Sequence, residues 1–206
     1  MFTTVPTLQD EHVALEPMAL KHTGPLYKAG QALSIWKWTS HNYCKSELAT
    51  ETWVERCLSN KEIGVQIPFV VIDKFQNQVV GSSSFLNIAK EHKTIEVGYT
   101  FLHPSVQKSY VNKCSKLLLL SYAFETLNYN RVALQTHEQN KQSRAAILSI
   151  GAQFEGVNRY ARIQQDGSIR NSAIYSIIEP DWQAVKADLQ AKVTIKQYKR
   201  NKHVHS

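Results

Sequence analysis

The stretch that decides the fold runs from Thr94 to Ile150 and reads TIEVGYTFLHPSVQKSYVNKCSKLLLLSYAFETLNYNRVALQTHEQNKQSRAAILSI. Its alternating residues predict a strand over Thr94–Leu102, and a polar loop over Gln107–Asn112 then opens a helix of about four turns. A second strand over Arg131–Thr136 leads to a second helix, which begins after Asn140. A loop in this order places backbone N–H groups at a helix N-terminus, where phosphates are stabilised. The stretch therefore predicts a site for an anionic cofactor.

Strands and helices are also predicted on both sides of this stretch. Further strands are predicted over residues 12–18, 68–74 and 78–88, and a last hairpin over 153–164 and 168–178. Further helices are predicted over residues 20–33, from Ser46 onward, and over about 182–199. This order indicates an α+β (mixed α/β) domain, in which a mixed sheet is flanked by helices.

The composition is that of a globular protein. The chain has 206 residues, of which 43% are hydrophobic and 20% charged. No apolar run approaches the roughly 20 residues that cross a bilayer, and the N-terminus lacks the pattern of a secretory signal. The three cysteines have unrelated spacings, which fits a reducing compartment. We therefore expect a cytoplasmic protein without a metal site and without membrane contact.

The formal net charge of +7 is concentrated near the C-terminus. We accordingly divide the chain into a single domain over residues 1–182 and a basic C-terminal helix or tail over 183–206. Positive surfaces attract nucleic acid or anionic cofactors. Without the tail, however, the charge argument loses most of its force, so a solvated basic helix is favoured and nucleic acid is not expected as a partner. A homodimer remains open.

Glu96 is a lone carboxylate inside an otherwise apolar strand. Alternation places it on one face with Gly98, Thr100 and Leu102. A carboxylate in that position belongs either to a functional site or to a solvated edge. Gly98 indicates either a bulge that bends the strand or a simple packing position.

These motifs resemble the GNAT superfamily of acyl-CoA-dependent N-acyltransferases. They are most similar to the branch that contains the ribosomal-protein alanine N-acetyltransferases. The residues that carry the resemblance are Glu96-Val97-Gly98-Tyr99, His103-Pro104-Ser105, Gln107 to Asn112, Lys116-Leu117-Leu118-Leu119, Asn140-x-x-Ser143-Arg144-Ala145-Ala146-Ile147, Gly151-Ala152, Glu155-Gly156, Asp166-Gly167 and Arg170-Asn171. The resemblance extends more weakly from about Leu15 to Trp182. It implies a seven-stranded, mostly antiparallel mixed sheet that splays between its fourth and fifth strands.

The resemblance also implies roles for individual residues. Glu96 lies at the position of the general base, and Ser143 is the candidate general acid for the departing thiolate. Many members of this superfamily instead use a tyrosine further along the helix as the acid. Here that region reads Ala146-Ile147-Leu148, so no tyrosine is available for that role. The alternatives are an exposed strand glutamate and an exposed serine in the first helical turn.

Acetyl-CoA is the implied co-substrate. Its expected contacts are Phe101, Leu102, His103, Gln107, Lys108, Ser109, Tyr110, Val111, Asn112, Asn140 and Arg144. Tyr110 departs from the family pattern, because glycine is usual there and lets the backbone approach a phosphate closely. Asn140 could act as a helix N-cap alone. Arg144 faces either solvent or the cofactor phosphates.

Trp36, Trp38 and Tyr43 lie in a segment rich in aromatic and turn-forming residues. They could form the wall of an acceptor pocket, or they could simply pack against the domain. The resemblance implies an N-acetyltransferase that transfers an acetyl group to a primary amine, either a protein N-terminus or a small-molecule amine, in a ternary complex. The alternative is a weakly active or inactive GNAT-fold protein that binds CoA or a partner, and Tyr110 favours it.

Overall fold

A computed structural model describes the backbone of residues 5–204 and the side chains of residues 5–194. Its strands are β1 Leu8–Gln9, β2 Val13–Pro17, β3 Gln66–Asp73, β4 Gln78–Ala89, β5 Thr94–Leu102, β6 Arg131–His137, β7 Gln153–Ile163 and β8 Ile169–Ile178. Its α-helices are α1 Thr23–Ala29, α2 Glu47–Glu62, α3 Val111–Ser121, α4 Lys141–Ser149 and α5 Glu179–Val204. A π-helical turn over Tyr122–Thr126 extends α3, which accounts for the four turns predicted.

The strands form one mixed sheet in the order β1-β2-β3-β4-β5-β6-β8-β7. The sheet has eight strands where seven were predicted, because Leu8–Gln9 pairs with β2 and is too short to produce an alternating pattern. Only β5 and β6 run parallel, and their ladder has three residue pairs, from Thr94 to Glu96. Beyond Glu96 the two strands separate, which confirms the predicted splay.

Two apolar layers cover the two faces of the sheet. The alternation along β3 separates them, since Phe69 and Val71 belong to the larger cluster and Val70 belongs to the smaller. The larger cluster includes side chains from α3, α4 and α5, and the smaller one includes side chains from α1 and α2. The site described below therefore lies on a sheet that is supported from both sides.

The last helix begins at Glu179 and packs against the larger cluster. Trp182, Leu189 and Val193 are buried there, so α5 packs against the domain well beyond its first turn. The division of the chain after Trp182 stays a prediction. The side chains of the basic residues beyond Thr194 lie outside the described part of the chain.

A bulge in β5 changes which side chains share a face. Gly98 pairs with Ser84, but Phe101 pairs with Ser82, so β5 carries one extra residue between these pairs, and Tyr99 there has a φ of 46°. An extra residue reverses the alternation beyond it. The expectation that Thr100 and Leu102 share a face with Glu96 was therefore wrong, and the bulge interpretation of this region was right.

Two structural features bear on the expected location and cofactors. Among the described residues, no helix is long and apolar enough to cross a membrane. Within residues 5–194, no three histidine, cysteine, aspartate or glutamate side chains form a group that could hold a metal ion. The cytoplasmic location stays a prediction.

Candidate functional site

Glu96 lies where the ladder between β5 and β6 ends, and only 7% of the residue is exposed. Asn87 Nδ2 on β4 donates to Glu96 Oε2 at 2.7 Å. Gln135 Nε2 on β6 donates to both carboxylate oxygens, at 2.9 and 3.0 Å. Two neutral amides therefore hold the carboxylate in one orientation. This burial excludes the alternative of a solvated strand glutamate.

Gly98 keeps the backbone close to that carboxylate. A Cβ atom at this position would lie 3.1 Å from Glu96 Oε1 and 2.9 Å from Leu86 Cδ1. Both separations are shorter than normal van der Waals contact, so any side chain here would displace its neighbours. The bulge that follows also removes Tyr99 and Thr100 from the ladder with β4. Their peptide groups lie close to Glu96 in the chain, at the edge where β5 has left β6.

Lys116 is buried below this bulge, although nothing in the sequence pattern indicates a fully enclosed lysine. Its Nζ donates to Thr100 Oγ1 at 2.8 Å and to Ser83 Oγ at 3.1 Å. Burial lowers the pKa of the Lys116 ammonium to about 7, because the interior solvates the charged form poorly. Lys116 thus connects α3 to the bulged part of β5.

Hydrogen bonds join the loop between β5 and α3 to the end of β5 and to the start of α4. His103 Nδ1 accepts from the backbone N–H of Ser105 at 3.2 Å. Gln107 Nε2 donates to the Leu102 carbonyl at 2.9 Å, and Gln107 Oε1 accepts from Gln142 Nε2 of α4 at 3.0 Å. Gln107 therefore joins the end of β5 to the first turn of α4.

The rest of this loop forms the start of α3, as predicted. Lys108 has a φ of 59°, in the left-handed region that lets a chain turn tightly. Ser109 Oγ accepts from the backbone N–H of Val111 at 3.1 Å. Val111 is fully buried and Asn112 is half-buried in the first turn of the helix. These residues lie at the helix N-terminus that the cofactor prediction requires.

The backbone and surroundings of Tyr110 explain why this position does not need the glycine that is usual in the family. Its φ of −70° and ψ of −27° are ordinary helical values, so no glycine is needed there. The side chain is buried, and its hydroxyl donates to Asp73 Oδ1 at 2.7 Å. The ring also makes an edge contact with His12, with centroids 5.7 Å apart. Tyr110 therefore points into the core, and its bulk does not cover the loop.

The N-terminus of α4 lies close to the same loop. Asn140 caps the helix, because its Oδ1 accepts from the backbone N–H of Ser143 at 3.0 Å. Ser143 itself is half-buried in the first turn. Its predicted role as general acid stays a prediction.

Arg144 is held in place by three contacts. Its Nε donates to Tyr175 Oη at 2.8 Å and its Nη1 donates to the Glu138 carbonyl at 3.1 Å. The guanidinium also lies 5.4 Å from the centroid of the Phe154 ring. These contacts favour a structural role over the predicted contact of Arg144 with the cofactor phosphates.

The three predicted acceptor-site aromatics separate into two kinds. Trp36 is buried, donates from Nε1 to the Gly30 carbonyl at 2.7 Å, and packs against Phe101 with centroids 5.0 Å apart. Trp38 is half-buried and lies 4.8 Å from the His137 ring. Tyr43 is half-buried and lies near Tyr99 of the bulge, with ring centroids 6.2 Å apart. Trp38 and Tyr43 can line a pocket, whereas Trp36 and Phe101 support it from below.

An open groove of about 830 Å³ lies along β7 and reaches Gln135 on β6. It is lined by Gln135, Val157, Asn158, Arg159, Tyr160, Ala161 and Arg162. Gln135 is the residue whose amide holds the Glu96 carboxylate, so the groove begins one side chain away from Glu96. On its other side, the β7–β8 hairpin is tied to the segment that carries Trp38, since Arg170 Nη1 donates to the Trp38 carbonyl at 3.3 Å.

The three cysteines are not candidates for a catalytic role. Cys44, Cys57 and Cys114 are all buried and free. Burial raises the pKa of the Cys44 and Cys57 thiols to about 11, and it raises that of Cys114 as well. None of them is a reactive thiolate at neutral pH.

Asn87 and Gln135 were not predicted as parts of the site, and Lys116 and Arg170 were named only within the motifs that carry the resemblance. A signal for Gln135 was present, because Glu96 is opposite Ala133 in the parallel ladder and Gln135 lies two residues further on the same face. Asn87 and Lys116 offered no such signal. Their importance arises from the bulged register of β4 and β5, which the alternation pattern does not encode.

Comparison with known proteins identifies the family. The model of the acetyltransferase (GNAT) domain matches residues 12–153, which is more than half of the chain. The chain belongs to the GNAT family. This GNAT domain is 26% identical over 103 residues to the uncharacterised N-acetyltransferase YoaA of Bacillus subtilis, a match that covers 50% of this chain and 57% of YoaA. The predicted family is thereby confirmed.

Two further relatives extend the comparison. YdaF of Bacillus subtilis, whose name marks it as a candidate ribosomal N-acetyltransferase, is 29% identical over 113 residues, covering 54% of this chain and 60% of YdaF. The chain therefore matches less than two thirds of the length of these curated relatives. A crystal structure of an acetyltransferase candidate from T. thermophilus superposes with a TM-score of 0.84 at 30% identity, covering 93% of this chain and 99% of that one.

Proposed function

We propose that this GNAT domain transfers an acetyl group from acetyl-CoA to a primary amine by direct attack in a ternary complex. The observation that carries the proposal is the Glu96 carboxylate. It is buried, fixed by Asn87 and Gln135, and located where the sheet opens beside a bulge. An amine has to lose a proton before it attacks a thioester, and a fixed carboxylate at the opening can accept that proton directly or through water.

The residues around the opening fit acetyl-CoA. The polar loop over Gln107–Asn112 leads into the N-terminus of α3, and α4 begins close by with its Asn140 cap. Helix N-termini favour phosphate groups through their exposed N–H donors and their dipoles. We infer that this loop holds the pyrophosphate and that the start of α4 holds the pantetheine arm.

The chain's own residues then have separate tasks. Acetyl-CoA supplies an acetyl group activated as a thioester. Glu96 takes the proton of the incoming amine. Peptide N–H groups at the β5 bulge stabilise the negative charge that develops on the carbonyl oxygen, because they are already oriented when the charge appears. Ser143, in the first turn of α4, gives a proton to the departing sulfur.

The acceptor amine approaches from the side of Trp38, Tyr43 and β7. The groove along β7 and the half-buried aromatic side chains lie on that side of Glu96. Of the two acceptor classes, a protein N-terminal amine is supported by the match to YdaF, whose name describes a candidate ribosomal N-acetyltransferase. A small-molecule amine is the second acceptor class.

A weakly active CoA-binding protein was the alternative function, and it depended on Tyr110. That argument weakens because the Tyr110 side chain lies in the core, with its hydroxyl on Asp73. A large side chain at that position therefore leaves the loop surface open to a phosphate.

Two measurements test the proposed function. Acetyl-CoA should raise the melting temperature, because a ligand that binds only the folded state stabilises it by mass action. Free CoA should also be released when short peptides or small amines are added as acceptors. A thermal shift without CoA release on any amine would support the non-enzymatic alternative, and the absence of both would contradict acetyl-CoA binding.

A further inference from the structure

The acceptor side of Glu96 is lined by arginines. Arg159 and Arg162 line the groove along β7, and Arg170 is buried behind it on β8. Arg56 on α2 lies 5.4 Å from the centroid of the Tyr43 ring. The charge of Arg162 acts on both Arg170 and Tyr43, and the charge of Glu96 acts on Arg170. The groove and the aromatic pocket therefore share one positive field.

The nearby carboxylates offset this field only in part. Glu155 is paired with Arg131, and Glu138 Oε1 accepts from Asn171 Nδ2 at 2.9 Å, a neutral partner that does not cancel the carboxylate. Neither Arg159 nor Arg162 takes part in an ion pair among residues 5–194. Both are exposed, so their charges face whatever occupies the groove.

We propose that this groove selects peptide acceptors with acidic side chains close to the N-terminal amine. The inference rests on the proposed function, since it places the amine at Glu96 and the following residues along β7. Carboxylates then face Arg159 and Arg162, which complement them in charge and can bind them in a bidentate manner. Polycationic acceptors such as polyamines are disfavoured by the same field, because like charges repel.

The size of the groove favours a peptide over a free amino acid. Its volume of about 830 Å³ is near the upper end of the range of about 300–1,000 Å³ in which drug-sized ligands bind. Its lining comes from one continuous segment, Val157 to Arg162, which bulges away from β8 between Asn158 and Arg162 and along which a peptide can run. A free amino acid would place its carboxylate next to the amine and would leave most of the groove unfilled.

The test is calorimetric binding of two short peptides in the presence of CoA. One peptide carries aspartate at its second and third positions, and the other carries asparagine there, so the two differ in charge but hardly in shape. The aspartate peptide should bind about fivefold more tightly, as expected for exposed charge pairs. This preference should shrink at high salt and in Arg162→Gln.

The matched control is Lys74→Gln, which also removes one exposed positive charge. Lys74 directly follows β3, and four strands of the sheet lie between β3 and β7. At that distance its charge is screened from the groove, so the variant should keep the preference for the aspartate peptide.

Binding measurements alone can overturn this inference. Equal binding of the two peptides, or an Arg162→Gln variant that keeps the preference, would overturn it. It would also be overturned if Arg162→Gln weakened acetyl-CoA binding as much as peptide binding, since the arginine would then serve the cofactor. Free aspartate binding as tightly as the peptide would overturn the peptide assignment. Transfer to both peptides without preference would leave the proposed function standing, whereas a binding preference without transfer would contradict only the proposed function.

Discussion

The two walls of the cleft beside Glu96 are held in place differently. The cofactor wall, formed by residues 103–112 and the first turn of α4, is fastened by hydrogen bonds from Gln107 and Asn140 and by the buried ring of Tyr110. The acceptor wall, formed by residues 34–44 and β7, has exposed or half-buried side chains on β7 and at Trp38 and Tyr43. Under the proposed function the cofactor is the same for every turnover, so its wall can be rigid. The acceptor wall then carries the charges and rings that are available to distinguish one amine from another.

Glu96 lies between the two walls, and its replacement should have the largest effect. Glu96→Gln should lower kcat by roughly 10²–10⁴-fold, because a positioned base is lost. Folding should survive, since flipping the Gln135 amide would restore its hydrogen bond to the new side chain. The loss should shrink at high pH, where more of the amine is already deprotonated. Steady-state kinetics across pH measures both effects.

The matched control for that variant is Glu91→Gln, which removes the same charge from the exposed turn after β4. It should leave kcat unchanged. If Glu96→Gln kept full activity at neutral pH on an accepted amine, Glu96 would not be the base, and a water chain or the substrate would have to accept the proton.

Lys116 is buried on the helix that follows the cofactor wall, and its ammonium should make the stability of the fold depend on pH. The pKa of its ammonium falls from 10.5 to about 7 in the folded protein, so between these values the unfolded chain binds more protons. The free energy of unfolding should therefore rise with pH above about 7, by up to about 1.4 kcal/mol per pH unit. Lys116→Met should remove this slope. Denaturant unfolding at pH 7, 7.5 and 8 measures it.

Between pH 7 and 8, the pH dependence of the free energy of unfolding should arise mainly from Lys116. The pKa values of His22 and His137 are lowered, so their contribution ends near pH 7, whereas the thiols of Cys44 and Cys57, with raised pKa values, act mainly above pH 8. Lys28→Met, an exposed replacement on α1, should keep the wild-type slope. A Lys116→Met variant with the same slope as the wild type would show that Lys116 titrates normally.

Substitutions of Tyr110 and Tyr160 compare how much each wall contributes to the stability of the fold. Tyr110→Phe removes one donor from the buried Asp73, which keeps the Phe75 N–H and Gln76 Nε2, and should lower the free energy of unfolding by about 0.5–1.5 kcal/mol. Tyr160→Phe removes a hydroxyl from a residue that is 76% exposed on β7 and should change stability very little. Thermal unfolding of both variants decides whether the walls differ in how firmly they are held. Equal losses would remove the distinction.

Ser143→Ala should have the smallest effect. The loss in kcat should be about tenfold or less, because a thiolate is a tolerable leaving group and water can deliver its proton. The Asn140 cap should persist, since it binds the backbone N–H of Ser143 and not its hydroxyl. An unchanged melting temperature serves as the internal control. A loss as large as that of Glu96→Gln would give Ser143 a greater role than proton delivery.

The parts of the fold that depend on local patterns could be predicted from the sequence. The boundaries of β5, the Asn140 cap, the start of α2 at Ser46 and the splay beyond Glu96 were all correct. The face of Thr100 was predicted wrongly, because a one-residue bulge reverses the alternation and leaves no mark in the pattern.

The site could be predicted only where a motif carries it. Glu96 and the loop at the start of α3 were singled out from the residues themselves, and the resemblance supplied their expected roles. Asn87 and Lys116 reach Glu96 and Thr100 from other elements, and such contacts depend on the tertiary register. The arginines of β7 were invisible as a group, because their shared field exists only once the hairpin is folded next to the segment that carries Trp38.

The buried ring of Tyr110 also has an evolutionary consequence. Asp73 on β3 accepts from its hydroxyl, so we expect the two positions, which join the loop before α3 to the β3–β4 hairpin, to form an epistatic pair. A relative with glycine at position 110 has no such donor, and an aspartate opposite it would be left with donors from the turn after β3, such as the Phe75 N–H. In an alignment of GNAT domains we expect tyrosine at 110 to co-vary with aspartate at 73, and we expect single exchanges at either position to be rare among natural sequences.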